Sequence, residues 1–190
     1  MELVLTNVPV QTERSFLKVY DFNDEELLKS CAEYIKNQNL RNIHNRFVGF
    51  FSDAEYKDYY YGSILIAHAQ PLSQNMKMLL DKINNIFETD CNCILVNRYV
   101  DGSQIISKHR DSMNHASVGV IILSYGDTRI FRVHDNSNNK ICDLPLVHNQ
   151  LIQMGGDFQR EFLHDIKREP DKGERISFSF HKYTGLGLYK

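Results

Sequence analysis

The chain has 190 residues, of which 42% are hydrophobic and 24% charged, with 10 Gly and 4 Pro. This is ordinary globular usage, and it excludes collagen-like and Pro/Gly-rich disordered sequence. Lys and Arg number 22 against 24 Asp and Glu, a formal net charge of −2, which excludes a globally basic nucleic-acid coat or a polybasic membrane anchor but leaves room for a local basic groove. Cys31, Cys91, Cys93 and Cys142 lack C-x-x-C spacing, so packed, reduced thiols are expected rather than a disulfide framework or a zinc site. The opening MELVLTNVPV has an acidic second residue and a proline inside its apolar run, so it predicts no signal peptide. The longest apolar stretch, Val118 to Leu123, is far below the ~20 residues that span a bilayer. These features predict one soluble domain, cytoplasmic or nuclear rather than secreted, and monomeric.

In chain order, two helices come first. Asn23 or Asp24 can cap a helix whose Leu27, Leu28, Cys31, Tyr34 and Ile35 share a face, with acidic residues in its first turn. A second helix starts near Pro71 and Ser73, carries Met76, Leu79, Leu80, Ile83 and Phe87 as its stripe, and ends before Thr89-Asp90. From Cys91 the pattern changes to short β-like runs: 93–99, 118–125, 128–134, 140–147, 150–154, 159–166 and 175–183. Gly- and Asn-rich turns separate them. Many closely spaced strands predict a sandwich, barrel or jelly roll. Helices early and strands late predict α+β, with the N-terminal helices packed on one face of the β core. In the last run the period of two puts Arg175, Ser177, Ser179 and His181 on one face. An arginine on an inner face is costly unless an anion meets it.

The chemistry lies in a His-x-Asp pair, His109-Arg110-Asp111. In a strand, positions i and i+2 point the same way, so imidazole and carboxylate can share one metal. About one such pair is expected by chance in this composition, so the weight comes from what accompanies it. His164 follows in a separate strand, and Arg175 opens the last one. Two His and one carboxylate make the facial triad of non-haem Fe(II). The open positions suit a dicarboxylate cosubstrate, whose remote carboxylate an arginine can hold with two prongs.

The stretches Asn97-Arg98-Tyr99-Val100-Asp101-Gly102, His109-Arg110-Asp111, Ser124-Tyr125-Gly126, Leu151-Ile152-Gln153-Met154-Gly155-Gly156, His164-Asp165-Ile166 and Arg175-Ile176-Ser177-Phe178-Ser179-Phe180 stand in this order. Together they resemble the core of the AlkB-like 2-oxoglutarate/Fe(II) dioxygenases. The resemblance extends upstream through Tyr59-Tyr60-Tyr61-Gly62 and Pro71-Leu72 to about Arg46, roughly three quarters of the chain. It implies a double-stranded β-helix (jelly-roll) core. Within a single domain of 1–190, it implies an N-terminal extension over 1–45, a nucleotide-recognition-lid-like segment and support helix over 46–90, and the core over 91–190. It assigns His109, Asp111 and His164 as iron ligands. Asn97 and Tyr99 become hydrogen-bond partners of 2-oxoglutarate, and Arg175 the partner of its distal carboxylate. The implied activity consumes 2-oxoglutarate and O2, dealkylates N-alkylated bases of DNA or RNA, and releases succinate, CO2 and an aldehyde.

Two departures from the family pattern stand out. Six residues after Arg175, where the family carries a second arginine near the inner carboxylate, stands His181, an imidazole whose charge depends on pH. Nucleic-acid repair members carry acidic residues just after the H-x-D; here Ser112-Met113-Asn114 follows, so Met113 is the substrate-side residue at that spot. These departures keep two alternatives open: the same oxygenase chemistry on a protein or small metabolite, and a turnover-deficient binding module. Tyr59 and Tyr61 match the family's aromatic lid pair and can stack a flipped base, or form a half-buried hairpin. Arg129 and Arg132 can contact phosphate or base, or lie on a solvated strand face.

Overall fold

The computed structural model describes residues 3–43, 46–52, 58–111 and 118–182. In chain order the strands are β1 (Val4–Gln11), β2 (Ser15–Asp21), β3 (Arg41–Ile43), β4 (Arg46–Ser52), β5 (Tyr59–Tyr61), β6 (Ile64–Ala67), β7 (Ala69–Pro71), β8 (Cys93–Tyr99), β9 (Ile106–His109), β10 (Val120–Gly126), β11 (Arg129–Asp135), β12 (Lys140–Leu146), β13 (Gln150–Gly156), β14 (Phe162–Ile166) and β15 (Arg175–His181). The helices are α1 (Glu25–Lys36), α2 (Gln74–Phe87) and the short α3 (Phe158–Glu161). Asp24 caps α1 by accepting from the Leu27 N–H, and Ser73 caps α2 by accepting from the Met76 N–H; such caps contribute about 1 kcal/mol each.

The architecture is mostly antiparallel sheet with few helices, as in jelly-roll oxygenases. A nine-stranded sheet runs β1-β2-β13-β10-β15-β8-β4-β3, with β7 added parallel to β4. A four-stranded sheet runs β12-β11-β14-β9, and β5-β6 form a separate hairpin. The period of two divides the large sheet into two faces. On one, Ile176, Phe178 and Phe180 of β15 join Leu28 and Ile35 of α1 and Met76 and Ile83 of α2 in one buried cluster. On the other, Leu17, Val19, Val120, Ile122 and Ile152 meet Phe131, Val133, Leu146 and Ile166 of the small sheet. Arg175, Ser177, Ser179 and His181 alternate with the apolar residues of β15 and are all buried, as the period predicts.

Two expectations are corrected. The order is not helices first and strands later, because β1 to β7 all precede α2. Strand β2 alternates Leu17 and Val19 inward with half-exposed Lys18 between them. Strand β4 is buried through most of its length on both faces and so lacks the alternation of a half-buried strand. The run expected as one strand over 159–166 is split. Gly156 has φ +65°, and a Cβ there would lie 1.9 Å from the Arg14 carbonyl oxygen, so the chain turns on a glycine and winds into α3 before β14. Position 183, at the end of the last expected strand, lies outside the described residues. No described helix is long and apolar enough to cross a membrane. All four cysteines are free thiols.

Candidate functional site

Strand β9 lies beside β14 at the edge of the small sheet and pairs His109 with His164 and Ile106 with Ile166. The register slips between these pairs, and this bulge turns His109 to the same interior side as Ile106; strict alternation would send it outward. Asp111 follows two residues on. The three side chains converge, with one ligand atom from each within 4.8 Å of the others. His109 Nε2 lies 3.6 Å from Asp111 Oδ1, and His164 Nε2 lies 3.5 Å from Asp111 Oδ2. The imidazole rings of His109 and His164 are 4.3 Å apart.

Protonation suits metal binding. His109 Nδ1 sits 2.9 Å from the Ser107 carbonyl oxygen; as a donor there, it leaves the Nε2 lone pair for a metal. The His164 side chain is 3% exposed and packs against Phe131, ring centres 5.0 Å apart. Burial, then the neighbouring His109, pull its imidazole down to about 3, so it is neutral at physiological pH. Burial pushes the Asp111 carboxyl up, but His164 and His109 outweigh it and hold the group below the usual carboxylate range. Two imidazoles and one carboxylate are the donor set of a facial Fe(II) site.

The triad opens into a cavity of about 690 Å³. Asn97, Tyr99, Arg175 and Ser177 line it, on adjacent strands that place Tyr99 opposite Arg175 and Asn97 opposite Ser177. Arg175 is 1% exposed. Its Nη2 donates to Ser124 Oγ at 2.9 Å, and its guanidinium carbon sits 5.6 Å from the Tyr99 ring centre. Its Nε has no hydrogen-bond partner among the described residues. Burial pulls Arg175 down to about 10, still charged at neutral pH. A buried cation with donors to spare fits a carboxylate-bearing ligand. Burial also pushes the Tyr99 hydroxyl up, keeping it a neutral donor.

The remaining expected residues divide. Tyr59 and Tyr61 both line the cavity. Tyr59 is buried and stacks on Phe50 at 5.5 Å, whereas Tyr61 is 42% exposed at the mouth. His181 is buried at the far end of β15 from Arg175, opposite Cys93, and is absent from the cavity lining. Met113 lies outside the described residues. Arg129 is a correction: neither a solvated residue nor a cavity residue, it is 0% exposed and donates to the carbonyls of Asp101, Gly102, Gln104 and Lys167. With a further Nε contact to Glu169 Oε2 at 3.4 Å, it ties one loop to the end of β14, away from the cavity lining. Arg132 makes a two-pronged pair with Asp143 of the neighbouring strand.

Two residues join the site that spacing alone did not single out. Arg46, at the start of β4, lines the cavity and donates from Nε to Asn97 Oδ1 at 2.8 Å. Gln159, on α3, accepts from the Asp111 N–H at 2.9 Å and donates to Asp111 Oδ2 at 3.1 Å. Its amide thus grips both ends of Asp111. Gln159→Ala is expected to weaken metal binding about 10- to 100-fold, the usual cost of losing a group that orients a ligand. Titration with Mn(II) checks this, and an affinity within twofold of wild type would show that strand geometry alone holds Asp111.

Comparison with known proteins agrees with this geometry. The sequence profile described as the 2OG-Fe(II) oxygenase superfamily matches residues 18–181. Human "DNA oxidative demethylase ALKBH2" is 27% identical over 119 residues, 56% of this chain and 45% of that protein. "Uncharacterized protein R406" of Acanthamoeba polyphaga mimivirus is 27% identical over 119 residues, 59% of this chain and 60% of that protein. The chain thus spans about half the length of the curated relatives it matches. Among solved structures, that titled "The structure of OsALKBH1" superposes with a TM-score of 0.60 at 13% identity, covering 93% of this chain and all of that one. A 2OG-Fe(II) oxygenase-family oxidoreductase from Burkholderia pseudomallei gives 0.54 at 11% identity, covering 81% of this chain and 77% of that one. These structures share the fold. With a profile match over most of its length, the chain belongs to the 2OG-Fe(II) oxygenase superfamily, as an AlkB-like member whose cofactors are Fe(II), 2-oxoglutarate and O2.

Proposed function

We propose that the protein is a dioxygenase that dealkylates N-alkylated bases in DNA or RNA, with His109, Asp111 and His164 holding the iron. The observation that carries this reading is the convergence of that triad and the buried Arg175, which has no carboxylate partner among the described residues, on one cavity with a tyrosine at its mouth. The human relative named as a DNA oxidative demethylase supports the substrate class. When bound, iron with 2-oxoglutarate and O2 supplies hydroxylation of an alkyl carbon, turning the cosubstrate into succinate and CO2.

The chain's own part is binding, orientation and dryness. Asp111 supplies the negative charge of the ligand set, and His109 is fixed in one tautomer by Ser107. Arg175 and Tyr99 orient the cosubstrate through its distal carboxylate, with Asn97 beside them. In this reading His181 takes the place of the family's second arginine near the metal-side carboxylate. Phe131, Ile122 and Ile166 wall the chamber and exclude water. Tyr61 offers an exposed ring on which a flipped base can stack, backed by the packed Tyr59. In this reading 1–190 acts as one domain, with a helical/strand extension over 1–45, a nucleotide-recognition-lid-like segment and support helix over 46–90, and the core over 91–190.

The test is product release by the iron-loaded protein given 2-oxoglutarate and, separately, N-methylated DNA, N-methylated RNA and methylated peptides. The expected result is equal succinate and formaldehyde with a nucleic acid and none with peptides. Succinate formed only with peptide or metabolite pools would contradict the nucleic-acid assignment.

A further inference from the structure

The cavity contains a second guanidinium for which the site described so far has no use. Strand β4 pairs with β8, Phe47 opposite Arg98 and Val48 opposite Asn97. Strand β8 pairs with β15, Tyr99 opposite Arg175. Arg46 therefore continues the row of Tyr99 and Arg175 across three neighbouring strands, and all three line the cavity. Arg46 is half-buried. It donates to a neutral amide, Asn97 Oδ1, and no acidic group answers its charge among the described residues. The same holds for Arg175, whose partners are the hydroxyls of Ser124 and Tyr99.

A guanidinium withdrawn from water is costly without an anion. Both arginines keep donors in hand. Arg46 spends Nε on Asn97, and Arg175 spends one Nη on Ser124 and a further donor on the Tyr99 hydroxyl, out of five N–H donors each. A carboxylate offers about four lone-pair sites, enough to accept from both guanidiniums and from the Tyr99 hydroxyl. The contact also fixes Asn97: with Oδ1 committed to Arg46, its NH2 group is the one left to donate into the cavity.

We infer that Arg46 is a cosubstrate-binding residue that shares the distal carboxylate of 2-oxoglutarate with Arg175, an assignment that rests on the oxygenase reading above. The test is the affinity of Mn(II)-loaded protein for two ligands, 2-oxoglutarate and a 2-oxo acid of similar length without the distal carboxylate. Wild type, Arg46→Met, Arg46→Lys and Arg175→Met are compared. Arg46→Met is expected to weaken 2-oxoglutarate about 10- to 100-fold, the scale of one hydrogen bond to a charged group. Arg46→Lys should recover part of the loss, and the monocarboxylate should bind all variants alike. Unchanged 2-oxoglutarate affinity in Arg46→Met would overturn the inference, as would equal weakening of both ligands, the mark of a merely structural role. Intact 2-oxoglutarate binding with lost oligonucleotide binding would overturn it in favour of a substrate contact. Failure of Arg175→Met to weaken 2-oxoglutarate would overturn the oxygenase reading itself, and the Arg46 assignment with it; failure of Arg46→Met alone would leave that reading standing.

Discussion

Asp111→Ala is expected to lose metal-dependent turnover entirely, and to bind Mn(II) or Fe(II) at least about a hundredfold more weakly than wild type, more than the usual loss for an orienting group alone. Asp111 is the one anion in the ligand group, since burial keeps His164 neutral. Removing it leaves two imidazoles and no charge to oppose that of a divalent cation. Asp111→Asn separates charge from shape. The amide can still meet Gln159, which grips both the backbone and the carboxylate of residue 111, so a loss close to that of Ala would assign the effect to charge. Asp111→Glu keeps the charge but adds a methylene, more than the ~0.5 Å a preorganised site tolerates, and should retain metal with little turnover. Metal titration and succinate release check all three, and full activity in any of them would remove Asp111 from the ligand set.

Arg175→Met has an equally large expected effect on function and the opposite sign on stability. Its guanidinium is fully buried with no carboxylate partner among the described residues, so the free protein bears an uncompensated desolvation cost. Methionine fills similar space without that cost, and the variant should be about 1–3 kcal/mol more stable to denaturation. The same change removes the charge that meets the distal carboxylate, and 2-oxoglutarate affinity should fall by about a hundredfold or more. Equilibrium unfolding and ligand titration on one preparation check both halves. A destabilised variant with normal 2-oxoglutarate affinity would mark Arg175 as structural.

How much was legible varied with the range of the interaction. The late strands were readable because alternation and turn residues are local signals: β8 begins and ends at Cys93 and Tyr99, as the apolar run does. The inner face of β15 followed from period two alone. The His109–Asp111 spacing was readable as a pair able to share a metal. Bringing His109 opposite His164 was not, because it depends on a long-range ladder and on a bulge that reverses the side β9 presents. Strand β1 was missed because it is an exposed edge with only Val10 buried, and therefore has no apolar face to read. Arg129 was misjudged for a related reason. A lone arginine on a short strand reads as solvated, and the carbonyls that bury it come from residues 101–104 and 167. Gln159 sat in a run taken for a strand, and its helical turn is what aims its amide at Asp111. Arg46 belongs to no spacing pattern, and only the pairing of β4 with β8 brings it to Asn97.

The most direct test of this account is the titration of 2-oxoglutarate into metal-free and Mn(II)-loaded wild-type protein. The predicted result is one 2-oxoglutarate bound per chain to the metal-loaded protein, and at least about tenfold weaker binding without metal, since only the side-chain contacts then hold the ligand. Equal binding with and without metal, or no binding to the metal-loaded protein, would contradict it.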